Sequence, residues 1–104
     1  MIIHADANAF QQALDKKGTF IVDFFATWCG PCKMLGAVME KLSGDELPYD
    51  ILKIDIDQNL ALAEKYDVQV VPTLLFVKNG EVAYREAGAF SKAKFLELVN
   101  DHLK

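Results

Sequence analysis

Cys29 and Cys32 are the only cysteines in the chain, and they stand two residues apart in Trp28-Cys29-Gly30-Pro31-Cys32-Lys33. At that spacing two sulfurs can form a disulfide and release it again with little backbone movement, which is the chemistry of a redox dithiol. Two other readings compete. As a staple the pair is weak, because closing so short a loop restrains the unfolded chain by only about 2 kcal/mol. As half of a zinc site it lacks partners: four ligands are normally needed, and the only histidines, His4 and His102, lie at opposite ends of the sequence.

A thiol reacts as its thiolate, and bringing a cysteine from about 8.5 to near neutrality takes about 2 kcal/mol of differential stabilisation. The motif follows the apolar run 19–25 and precedes Met34, Leu35, Val38, Met39 and Leu42 at helical spacing, so Cys29 is placed at a helix start. The helix dipole supplies about 0.3–1 kcal/mol to an anion there, and backbone N–H groups of the first turn and the Cys32 thiol are the natural further donors. Gly30-Pro31 suits a tight first turn. Cys32, one step further in, is expected to be more covered and less reactive. Cys29 is then the attacking sulfur and Cys32 the sulfur that resolves the mixed disulfide. The second step needs a base. Asp23 is the candidate, since an acid inside an apolar strand is desolvated and holds its proton to higher pH; its plain alternative is a turn or edge position. Trp28 and the Phe24-Phe25 pair read as packing, with Trp28 also able to shield a thiolate.

The surrounding elements alternate. Residues 1–4 form a strand candidate, and Asn8 with Gln11 resembles a capping box for a helix running to Gly18. Strands are expected at 19–25, 51–56 and 73–77, with helices from the motif to Ser43-Gly44 and over 59–66. Asn79-Gly80 is a hairpin turn leading into 81–86, where Val82 and Tyr84 alternate with Ala83 and Arg85. Ser91 caps a last helix carrying Phe95, Leu98, Val99 and His102. This order predicts an α/β fold, a mixed five-stranded sheet flanked by four helices, with residues 1–104 as one domain. The dithiol falls where the central strand meets its helix, the edge at which open sheets place their sites.

The 104 residues are 52% hydrophobic and 25% charged, with a formal net charge of -4. The longest basic run is Lys16-Lys17, which argues against nucleic acid as a partner. The N-terminal MIIHADANAF lacks a basic segment and a long apolar core, so neither membrane attachment nor export is expected, and the cytoplasm is the expected location. In a reducing compartment a disulfide tends to be transient and catalytic.

Ile21-Val22-Asp23-Phe24, the Trp28 to Lys33 motif and Val71-Pro72-Thr73 together resemble the thioredoxin family across essentially the whole chain. The resemblance implies the thioredoxin fold, with Cys29 as nucleophile, Cys32 as resolving cysteine and Asp23 as the buried proton acceptor and donor. It implies that Lys53 modulates Asp23, that Val71-Pro72 is a cis peptide, and that Gly88 keeps an apolar client surface flat. Trp28, Gly30, Pro31, Val71, Pro72, Gly88 and Ala89 are then the docking face. It further implies a monomeric protein-disulfide reductase that needs no cofactor of its own, with thioredoxin reductase and disulfide-containing proteins as partners. An oxidase or isomerase on the same fold, and a binding module without redox turnover, are the alternatives; Gly30-Pro31 favours the reductase. Two departures stand out. Ala37, preceded by Gly36, replaces a frequent family proline and removes the usual cause of a helix kink. Phe25 stands where a second tryptophan is common and is expected to alter fluorescence more than chemistry.

Overall fold

A computed structural model describes every residue except Asp45. Its strands are β1 (Ile2–His4), β2 (Phe20–Phe25), β3 (Asp50–Asp55), β4 (Thr73–Lys78) and β5 (Glu81–Ala87). Its helices are α1 (Ala7–Asp15), α2 (Gly30–Leu42), α3 (Leu60–Lys65) and α4 (Lys92–Leu103). The sheet order is β1-β3-β2-β4-β5. β3 runs parallel to both β1 and β2, and β4 is antiparallel to β2 and β5, so the sheet is mixed and β2 lies at its centre.

A strand covered on both faces must be apolar throughout, and β2 and β4 each bury five residues in succession. On one face Leu35, Met39 and Leu42 of α2 and Phe95, Leu98 and Val99 of α4 pack on Ile21, Ile51, Leu74 and Phe76. On the other, Phe10 of α1 and the half-buried Leu62 and Tyr66 meet Phe20, Val22, Phe24 and Leu75. Each fully buried Leu or Phe contributes about 2–3 kcal/mol relative to exposure. Among the described residues no helix is long and apolar enough to cross a membrane.

Two local readings need correction. The N-cap of α1 is Asp6, not Asn8: the Asp6 carboxylate accepts from Ala9 N–H at 2.8 Å, and Asn8 lies within the first turn. The helix stops at Asp15 because Lys17 turns to φ 59° and Gly18 N–H bonds back to the Ala13 carbonyl at 3.1 Å, short of the expected end. In β5 the simple alternation fails. Phe76 pairs with Tyr84 but Val77 with Val82, leaving Ala83 as an extra residue in a bulge, so Val82 and Tyr84 follow their partners to opposite faces. Tyr84 thereby stacks on His102 of α4, ring centroids 4.1 Å apart.

The capping assignment predicts that Asp6→Ala loses about 1 kcal/mol of stability while Asn8→Ala is near neutral, as measured by urea unfolding. Equal losses from the two variants would contradict it.

Candidate redox site

The site is built where β2 hands over to α2. Cys29 is the N-cap of α2, with extended backbone (φ -91°, ψ 112°), and Pro31 occupies the first turn, where its missing N–H has no partner to lose. Cys29 and Cys32 form a disulfide, with Cα atoms 5.3 Å apart, well within the span such a bond covers. The Cys32 backbone N–H donates to Cys29 Sγ at 3.1 Å. That one donor and the positive end of α2 both favour negative charge on the Cys29 sulfur. The two cysteines are almost equally covered, 5% and 3% exposed, so the expected difference in covering is small. What separates them is backbone position: one sulfur precedes the helix, the other belongs to it.

Cys29 Sγ also lies 3.6 Å from the Val71 carbonyl oxygen. Val71 belongs to the loop between α3 and β4, and its peptide bond to Pro72 is cis. This loop is tied on both sides. The buried Thr73 hydroxyl donates to the Val70 carbonyl at 2.6 Å, and Gly88 N–H donates to the Pro72 carbonyl at 2.8 Å. Gly88 adopts φ +92°, a conformation that a side chain strains, so its backbone alone already accounts for glycine there. Upstream, the Arg85 guanidinium donates to the Tyr66 and Asp67 carbonyls at the end of α3.

Around the sulfurs, Trp28, Gly30, Pro31 and Ala89 are exposed, Val71 and Gly88 are half-buried, and Pro72 is buried. Trp28 does not pack inward; it is 68% exposed, and its Nε1–H donates to Asp57 Oδ2 at 2.9 Å. Asp57 and the exposed Val70 carry no signal in the sequence. A single acid after a strand carries no spacing signal for a partner so far away along the chain.

Asp23 is fully buried in β2, beside Lys53 of β3 in the parallel register. Neither carboxyl oxygen has a hydrogen-bond partner among the described residues. Burial pushes its pKa up from 3.8 to about 7, with the nearby positive charge of Lys53 pulling the other way. A cleft of about 290 Å³, lined by Phe25, Ala26, Thr27, Cys32, Lys33 and Lys53, opens beside this strand pair. It brings Cys32 and Lys53 to one water-accessible space. Phe25 shares that space, with Lys53 Nζ 4.7 Å from its ring centroid, so it touches the charged machinery and not merely the core. Gly36 and Ala37 lie within the continuous helix α2, Gly36 buried and Ala37 exposed. Among the described residues no three His, Cys, Asp or Glu side chains come together as a metal site, and neither histidine lines this cleft.

The family model Thioredoxin matches residues 1–101. The thioredoxin of Bacillus subtilis is 45% identical over 105 residues, which cover 98% of this chain and 98% of that protein. The thioredoxin of Staphylococcus epidermidis is 45% identical over 89 residues, covering 85% of this chain and 86% of that one. Among solved structures, a mutant thioredoxin from Halobacterium salinarum NRC-1 superposes with a TM-score of 0.83 at 31% identity, covering all of this chain and 90% of that one. With the Cys29–Cys32 pair, these matches make the protein a thiol-disulfide oxidoreductase. The chain belongs to the thioredoxin family, and it reduces protein disulfides by reversible dithiol-disulfide exchange.

The raised pKa of Asp23 has a consequence for stability. Below about pH 4 the carboxyl is protonated in both folded and unfolded chains, and it costs nothing extra. Between about pH 4 and pH 7 the unfolded chain releases the proton while the folded chain keeps it, so stability falls as pH rises. The total loss is on the order of 4 kcal/mol above pH 7. Asp23→Ala should therefore lack this downward slope in denaturant unfolding from pH 4 to 8; an unchanged slope would contradict the assignment.

Proposed function

We propose that Cys29 is the nucleophile. Its thiolate attacks one sulfur of a client disulfide, the client S–S bond breaks, and a mixed disulfide forms as the other client sulfur leaves and takes up a proton. Cys32 then gives its proton through water in the adjoining cleft to Asp23, and its thiolate attacks Cys29 Sγ. The second client sulfur leaves, and the Cys29–Cys32 disulfide remains, having passed two electrons to the client. The observation that carries this reading is the Cys29 sulfur at the start of α2, accepting the Cys32 N–H and lying beside the Val71 carbonyl.

In the same reading Lys53 modulates the proton affinity of Asp23, and the exposed Trp28, Gly30, Pro31 and Ala89 meet the client with Val71 and Gly88. Val71 offers its backbone to an extended client segment, and Pro72 shapes the loop from beneath. Thioredoxin reductase returns the two electrons, so flavin and NADPH belong to that partner and this chain needs no cofactor. Residues 1–104 act as one domain, supported by one continuous sheet, and as a monomer in the cytoplasm.

Cys29→Ser should abolish insulin reduction coupled to NADPH through a thioredoxin reductase, while Cys32→Ser should accumulate mixed disulfides that a gel resolves. Full activity in the Cys29 variant would end the proposal. Because Asp23 must be ionised to accept the proton, release of a mixed disulfide should speed up with a midpoint near pH 7 in the wild type. Asp23→Ala should lose that rise and run on the order of 10²-fold slower at pH 8. An identical profile in the variant would refute the role.

A further inference from the structure

Lys53 carries its charge on a flexible stem, and nothing in the acid itself fixes it: the Asp23 oxygens have no hydrogen-bond partner among the described residues. Two openings flank the lysine. One is the cleft that holds Cys32 and Lys33. The other, of about 700 Å³, is lined by Lys53 with His4, Asp6, Asp55 and Asn59, and Phe25 stands at the border of both. His4 of β1 is the register partner of Lys53, Asp55 follows it on β3, and Asp6 caps α1. Two acids thus offer the ammonium another place to lie.

Nζ is approached by Phe25, one of the two positions at which this chain departs from its family, and by Gly36, the neighbour of the other, Ala37. The ring of Phe25 lies 4.7 Å from Nζ, in range of a cation–π attraction. From α2, a Cβ built on Gly36 would stand 3.5 Å from Nζ, and among the described residues Nζ is the only atom outside its immediate surroundings within 4 Å of that Cβ. A methyl there already touches the ammonium, and any larger side chain takes its space. A glycine within a helix weakens it, so the residue is costly unless the space is used.

We propose that Gly36 and Phe25 are positioning residues, a slot that keeps the Lys53 ammonium on the Cys32 side, where its charge bears on Asp23 from a fixed place. The proposal rests on the reading of Asp23 as the proton-handling group. Filling the slot, or removing its aromatic wall, sends the lysine toward Asp55 and Asp6. Asp23 then loses part of the attraction that favours its ionised form, and it holds its proton to higher pH.

The test follows the Asp23 carboxyl by carbon-13 NMR titration of the full-length protein, alongside the pH profile of mixed-disulfide release. Gly36→Val should raise the Asp23 midpoint by about half a pH unit or more, toward the value in Lys53→Met. Gly36→Ala should move it less. In the Lys53→Met background Gly36→Val should add nothing, because its effect runs through the lysine. Should Gly36→Val not fold, Phe25→Leu carries the same expectation. A midpoint that moves in Lys53→Met but in neither slot variant overturns the proposal, and so does a Gly36→Val effect that persists without the lysine. If the midpoint moves as expected while the release profile stays fixed, the slot stands and the proton role of Asp23 falls.

Discussion

An acid is enclosed in the middle of the sheet, and its desolvation is the constraint on which the proposed proton transfer depends. Asp23 sits on the central strand between Lys53 of β3 and Leu74 of β4, with no hydrogen-bond partner among the described residues for either oxygen. Burial of this kind favours the neutral acid and brings its proton exchange to about pH 7, where a thiol must also be deprotonated to react. The penalty falls on stability, and it is tolerable because the two cores around it bury many large apolar side chains. Stability is given up at one carboxyl, and a group able to move protons near neutrality results.

The same junction makes two chemically identical sulfurs unequal. The extended Cys29 lies ahead of α2 and accepts the Cys32 N–H, whereas Cys32 belongs to the first turn and borders the cleft shared with Lys53. Covering alone does not separate them. Meanwhile the Val71 loop is fixed from two directions, by the Thr73 hydroxyl below and by Gly88 of the outgoing β5 segment. In the proposed mechanism, this backbone edge beside a sulfur lets binding of an extended segment and attack on its disulfide occur in one place.

The fold was legible in the sequence wherever a pattern is local. The apolar runs of β2 and β4, the Asn79-Gly80 turn and the Ser91 cap each announce an element within a few residues, and the dithiol with Asp23 follows from residue type and position. Less legible were a cap masked by a rival motif and features fixed between separate elements. The Asp6 cap was hidden by a competing motif at Asn8, the Ala83 bulge is a matter of register between two strands, and the Trp28–Asp57 bond joins two surface loops. In sequence Phe25 reads as a change of fluorescence and Gly36 only as the neighbour of Ala37, since nothing in either says that both meet one lysine from another strand.

Burial makes Asp23 keep its proton in the folded protein until near neutrality. Infrared titration of the protonated carboxyl band in the wild type, identified by its loss in Asp23→Asn, tests it most directly. The band should fall to half its height near pH 7. A band that vanishes near pH 4, as for an ordinary aspartate, would contradict it.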